Sequence, residues 1–268
     1  MSLALAEAVD AGEPDAALAV CRACVDWLPM TGASITIISE LQGAQELLCA
    51  TDAGAARIDE LQFSLGDGPC VESFRTGRAV LVADITDPGD TRWPVFAGAV
   101  AETGARGMFA FPLHVGAAKI GVLECYRDRP GSLSAGELSG ALRAADAAMW
   151  TLLERPDPRG IAGRDPGSTD TGTTGWLDGS VLPRAEVHQA TGVLIAQAGL
   201  DAPAALARLR AIAFRTGRRI GEVAEDVLAH RLRLDPGGAW YPVSGVGSEN
   251  VDPTDEDPRP PGQEGNPS

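Results

Sequence analysis

The stretch GMFAFPLHVGAAKIGVLECYR, residues 107–127, decides the architecture of the larger part of the chain. It holds two runs rich in apolar and β-branched residues, Gly107–Val115 and Ile120–Arg127, broken at Gly116-Ala117. Two such runs joined by a short glycine turn predict an antiparallel hairpin. Upstream, Val95–Thr103 predicts a helix with Gly104 behind it, and Ala79–Ala83 a strand. Gly66-Asp67-Gly68-Pro69 predicts a turn into a short helix, Cys70–Arg75, ended by Gly77. Ala33–Ser39 and Gln45–Thr51 predict two strands, with a chain turn at Asp52-Ala53-Gly54. Asp15–Leu28 predicts a helix stopped by Pro29. Downstream, Ser134–Glu154 predicts a long helix, with Ser134 as N-cap and Glu137 three residues on, the capping-box spacing. This order implies an α+β domain over residues 15–155, an antiparallel sheet with flanking helices.

Residues 156–179 are mostly Pro, Gly, Asp, Ser and Thr and predict a flexible linker. Residues 180–234 predict three helices. Pro183 suits a first turn, and Val187, Ala190, Leu194 and Ala198 share a face that Gly199 closes. Asp201 can cap the second helix, with Pro203 in its first turn; Ala205, Leu209, Ile212 and Ala213 form its stripe and Gly217 its end. Ile220, Val223, Ala224, Val227, Leu228 and Leu232 repeat at helical spacing over the third. Three helices in some fifty residues lie near the lower limit for independent stability, so a homodimer is expected. Residues 235–268 predict a disordered acidic tail.

The chain has 268 residues, enough for about two domains, and a net charge of -15 that argues against nucleic-acid binding by the molecule as a whole. Residues 184–234 break the pattern with eight basic and five acidic side chains, which points to an anionic partner for that segment. Lys119 is the only lysine; Arg208, Arg210, Arg215, Arg218, Arg219, Arg231 and Arg233 carry the positive charge. Arg208 and Arg215, seven apart, share a helix face, and arginine forks suit phosphate oxygens and splayed bases. No apolar run reaches the length of a membrane helix, so no membrane partner is expected. The first residues lack the basic region of a secretory signal, and five cysteines are an odd number, so a cytoplasmic location with free thiols is expected.

Cys21 and Cys24 form a CxxC with no further ligands at zinc spacing, and read as small core residues or as a redox pair. Cys70 opens a short helix, where thiolate is favoured; it reads as a redox sensor or as packing. His114 is a lone strand histidine. Ser34, Asp84 and Glu124 form no nucleophile–base set with the histidines at 114, 188 and 230, and phosphate-loop and dinucleotide motifs are missing. Catalysis is therefore not expected, nor a resident metal or cofactor. Trp93, Phe96, Phe109, Phe111 and Tyr126 read as core or as the lining of a small-molecule pocket.

The segment Ala185-Glu186-Val187-His188-Gln189-Ala190-Thr191-Gly192-Val193-Leu194, with Ala204–Phe214 and Ile220–Ala224, resembles the ANTAR domain, a three-helix RNA-binding module of bacterial transcription antiterminators. Leu65-Gly66-Asp67-Gly68-Pro69-Cys70, Arg92–Phe96, Phe111-Pro112-Leu113 and Ile120–Arg127 resemble a GAF domain. The resemblance implies an α+β GAF sensor followed by a small all-α ANTAR domain that binds nascent mRNA hairpins as a homodimer. His188, Gln189, Thr191, Arg208, Arg210, Arg215, Arg218, Arg219 and Arg231 are then the candidate RNA-binding residues. Thr191 stands where many members carry Lys. The GAF signal would be an unidentified small molecule or a redox change. The alternative is a ligand- or redox-sensing protein that works through protein partners, its helical unit serving as a dimerisation module.

Overall fold

A computed structural model describes residues 16–39, 44–153 and 184–243. The elements run α1 (Ala16–Trp27), β1 (Gly32–Ser39), β2 (Ala44–Ala50), α2 (Ala53–Leu65), α3 (Pro69–Thr76), β3 (Val80–Val82), α4 (Pro94–Ala101), β4 (Gly107–Val115), β5 (Ala118–Arg127) and α5 (Ala135–Leu153). Then follow α6 (Arg184–Ala198), α7 (Ala202–Thr216), α8 (Ile220–Leu228), β6 (Leu232–Leu234) and β7 (Trp240–Pro242). The expected linker and most of the expected acidic tail lie outside the described residues.

Strands β2-β1-β5-β4-β3 form one antiparallel sheet. Side chains alternate across a strand, so the expected hairpin feeds two cores. Phe109, Phe111, Leu123 and Cys125 point to one face, under α1 and α5. Met108, Ala110, Val122 and Tyr126 point to the other, under α2, α3 and α4. Helix α5 buries Gly140, Ala141, Ala144, Ala145, Ala147 and Ala148, small residues that let it lie close to the sheet and α1. Its capping box is formed: the Ser134 N–H donates to Glu137 Oε2 at 2.6 Å, and the Glu137 N–H to Ser134 Oγ at 3.3 Å.

Three expectations are overturned. Asp52-Ala53-Gly54 is not merely a turn; it opens α2, because Asp52 Oδ1 accepts the Ala55 N–H at 2.9 Å as an N-cap. Asp52 is held there by the Tyr126 hydroxyl, 2.9 Å away, and the Thr51 hydroxyl, 2.8 Å away. Gly66, at φ 68°, ends the helix. The third C-terminal helix stops at Leu228 rather than running to Leu232, and the chain from 235 to 243 is ordered. His230 turns it at φ 56° into the β6–β7 hairpin. The Asp235-Pro236-Gly237-Gly238 turn closes that hairpin, with Asp235 accepting the Ala239 N–H at 2.8 Å. Leu234 and Trp240 pack onto the core of α6, α7 and α8.

Among the described residues no single helix is long and apolar enough to cross a membrane. They also contain no group of three or more His, Cys, Asp or Glu arranged to hold a metal.

Candidate nucleic-acid interface

Helix α7 begins at an Asp201 cap, whose side chain accepts the Ala204 N–H at 2.8 Å, and ends at Gly217 in the left-handed conformation. Its inner stripe is Ala205, Leu206, Leu209, Ile212 and Ala213. Arg208 and Arg215 therefore emerge on the outer side, two turns apart, and both are exposed. Neither makes an ion pair among the described residues, nor does Arg233 on β6. Gln189 on α6 is exposed as well. Phe214 is 66% exposed at the end of α7, an aromatic face open to solvent beside two cationic positions.

The other arginines are placed differently. Arg218 pairs with Asp226 at 2.7 Å and reaches Glu222 at 3.8 Å; Arg231 pairs with the same Asp226 at 2.7 Å. Arg219 pairs with Glu222 at 2.8 Å. Asp226 and Glu222 are held below the ordinary carboxylate range by hydrogen bonds from these guanidinium groups, although burial of Asp226 works against that. Arg231 and Arg233 lie on the hairpin approach and on β6, not on the third helix as the spacing suggested. Exposed pairs of this kind are worth about 0–1 kcal/mol, so these three arginines can exchange a carboxylate for a phosphate at small cost.

Three candidates turn inward. Thr191 is buried and its hydroxyl donates to the Val187 carbonyl at 2.7 Å. In this arrangement it offers nothing to RNA, a correction that follows from its place on the apolar stripe beside Ala190 and Leu194. Arg210 reaches back to α2: its Nε donates to the Phe63 carbonyl at 2.8 Å and its guanidinium stacks on the Phe63 ring at 5.4 Å. Burial, then the neighbouring Arg184, lowers its pKa to about 10. His188 is half-buried, its ring edge-on to Phe63 at 6.2 Å. Burial first, then Arg184, lowers its pKa, so at neutral pH it is an uncharged imidazole facing the joint.

The joint has one further member, Arg184, the first described residue of α6. It is buried, stacks on Phe63 at 4.3 Å, pairs with Asp59, lies 3.6 Å from Glu60 and donates to the Gln45 carbonyl at 3.2 Å. Asp59 in turn accepts the Thr36 hydroxyl at 2.5 Å. Phe63 belongs to the core of the three-helix unit though it stands on α2.

Behind that joint lies a polar interior between α2 and the sheet. Gln62 Nε2 donates to Glu124 Oε2 at 2.6 Å, and Gln62 Oε1 accepts the Cys70 N–H at 2.7 Å. Desolvation pushes Glu124 up to about 8, and among the described residues its Oε1 has no partner. Cys70 is buried, and burial first, then Glu124 and Asp59, raises its thiol well above the ordinary value. The expected thiolate at a helix start is thus overturned. Desolvation outweighs the helix end, and Gln62 already occupies the Cys70 N–H. Cys21 and Cys24 are core residues too, Cys21 lying 3.7 Å from Cys49. The aromatic set does not form one lining. Trp93, Phe96 and Tyr126 share the face under α2–α4, whereas Phe109 and Phe111 pack on the opposite face.

A family model for the GAF domain matches residues 10–149, and one for the ANTAR domain matches residues 180–228. The chain belongs to the GAF family and carries an ANTAR domain. No curated protein matches it. Solved structures similar to it include a GAF domain from Synechocystis sp. PCC6803 (15% identity, 50% of this chain and 88% of that one, TM-score 0.40). Others are the type II free methionine-R-sulfoxide reductase from Thermoplasma acidophilum (15%, 51% and 89%, 0.38) and the GAF domain of a phosphoenolpyruvate-protein phosphotransferase from Coxiella burnetii (13%, 57% and 94%, 0.38).

Both domains are regulatory modules. Sequence reasoning missed the residues that join them, Asp59, Phe63 and Arg184, and the Gln62–Glu124 pair beneath. The signal for α2 was present in Asp52, the spacing of Ala55, Ile58, Leu61 and Leu65, and Gly66. That Phe63 stands off this stripe, on a helix already buried through its other side, marks a second packing partner.

Proposed function

We propose that this GAF–ANTAR protein is a signal-responsive, RNA-binding antitermination regulator of the cytoplasm. The observation that carries the reading is the pair Arg208 and Arg215, exposed on one face of α7 and free of carboxylate partners among the described residues. In an acidic protein, unpaired guanidinium groups on a small module suit a polyanion, and their planar forks suit phosphates and unstacked bases. Gln189 adds donors and an acceptor for base edges, and Phe214 a stacking surface. Arg218, Arg219 and Arg231 would join once phosphates displace Asp226 and Glu222.

The mechanism needs no chemistry on the RNA. Holding one hairpin of a nascent mRNA excludes the competing terminator hairpin, and polymerase reads on. The GAF domain biases this by differential affinity between states, its signal a small molecule or redox change. A homodimer is part of the proposal. Leu142, Trp150 and Leu153 fall on one side of α5 and are exposed, and Trp27 is exposed at the end of the neighbouring α1. Pairing two copies there would let both ANTAR domains act on one transcript.

Fluorescence anisotropy with an RNA of two short stem-loops tests the proposal, against duplex DNA of equal length. Binding of the RNA that weakens with salt by only a few phosphate contacts is expected. Equal retention of the DNA, or no retention of RNA at low salt, contradicts it.

A further inference from the structure

We infer that helix α2 of the GAF domain is a latch, its Asp59–Phe63 edge holding the ANTAR helices in a state that withholds Arg184, His188 and Arg210 from RNA. The inference rests on the RNA-binding reading and names its regulation. Phe63 fills the core of α6, α7 and α8 from outside, so the small ANTAR unit borrows an apolar side chain from the sensor. Two guanidinium groups lie over that one ring, at 4.3 and 5.4 Å. Arg184 is fixed between Asp59, Glu60 and the Gln45 carbonyl, and Arg210 by the Phe63 carbonyl. Two cations and an imidazole of the most basic segment in the chain are thus spent on the joint.

The latch sits on the helix that touches the sensor's interior. Gln62, next to Phe63, is held between Glu124 of β5 and the Cys70 N–H of α3. Asp59, one turn earlier, is held by Thr36 of β1. A signal that takes Glu124 or Gln62 as a partner acts on the same turn of helix that grips Arg184 and Arg210. Among the described residues Arg184 Nε has no partner in the docked arrangement, and such a buried donor is a cost that release to water removes. Removing one partner of a buried ion pair leaves an uncompensated buried charge, so loss of Asp59 alone should favour release of Arg184.

The test uses the full chain as wild type, Asp59→Asn, Phe63→Leu and Asp59→Asn with Arg184→Gln. Amide exchange over residues 184–198 reads docking, and anisotropy with the two-stem-loop RNA reads binding. Asp59→Asn should speed exchange over α6 at least tenfold and tighten RNA binding by a similar factor. Phe63→Leu, which keeps an apolar plug and loses the ring, should move both readouts the same way. The double variant should speed exchange at least as much as Asp59→Asn, since Arg184→Gln also removes the contacts with Glu60, the Gln45 carbonyl and the Phe63 ring, and should bind RNA no tighter than Asp59→Asn, since Arg184 is itself one of the released groups. Unchanged exchange in Asp59→Asn and Phe63→Leu overturns the latch. Faster exchange with equal or weaker RNA binding overturns its inhibitory role. Faster exchange with no RNA bound by any form overturns the RNA reading itself and leaves a purely structural joint.

Discussion

Glu124 gives the sharpest prediction for a single residue. Its carboxyl is pushed up to about 8 by burial against an ordinary value of 4.5. The folded protein then binds a proton that the unfolded chain has lost between those values, so this group's contribution is fully present below about pH 4.5 and is lost as pH rises through about 8. His188 works in the opposite sense. Its pKa is lowered in the fold, so its contribution is present above about 6.5 and is lost as pH falls through the lowered value. Denaturant melts of Glu124→Gln should therefore show a smaller fall in stability from pH 5 to pH 8 than wild type; parallel profiles would contradict the placement of Glu124. Phe214→Ala should weaken RNA binding by about 1–3 kcal/mol if the ring stacks a base, with no loss in melting temperature because the ring is exposed. Thr191→Val should leave RNA affinity unchanged, and an affinity loss without a stability loss would restore Thr191 to the interface. At this scale the sequence was partly legible. Helical spacing placed Arg208 and Arg215 outward, but it could not show that Arg210, two residues from Arg208, turns back onto Phe63. Nor could it show that burial would overrule the helix end at Cys70.

The hairpin at 107–127 and the capping box at Ser134 were legible because each is a local rule: a turn at glycine and two reciprocal hydrogen bonds within four residues. Helix α2 was missed because its Asp-Ala-Gly start reads equally as a turn, and only the Ala55 N–H shows that Asp52 caps a helix. The end of α8 was misjudged because Leu232 continues the helical spacing while its partner across the hairpin, Pro242, lies ten residues on. This suggests a test of the short β6–β7 hairpin. Trp240→Ala, which opens a gap over the ANTAR core, should destabilise by about 1–3 kcal/mol. Equal melting temperatures for Trp240→Ala and wild type would show that the hairpin does not pack as described. For α5, Trp150→Glu with Leu142→Glu should convert a dimer to a monomer in light scattering. A dimer that survives these changes pairs elsewhere.

For the molecule as a whole, division of charge and division of labour coincide. An acidic GAF domain and a basic ANTAR segment meet where Asp59 and Glu60 face Arg184, so the sensor carries the complement of the charge it would control. Adjacent residues of α2 face the two sides: Gln62 turns to Glu124 in the sensor's interior and Phe63 to Arg210 of α7. The claim on which everything else depends is that the outward arginines of the ANTAR domain hold RNA. The most direct measurement is anisotropy titration of the two-stem-loop RNA with Arg208→Glu/Arg215→Glu in the full chain, alongside melting curves for both proteins. The account predicts that binding collapses, by at least a hundredfold at low salt, while the melting temperature stays that of wild type. Undiminished affinity in the folded double variant would contradict it.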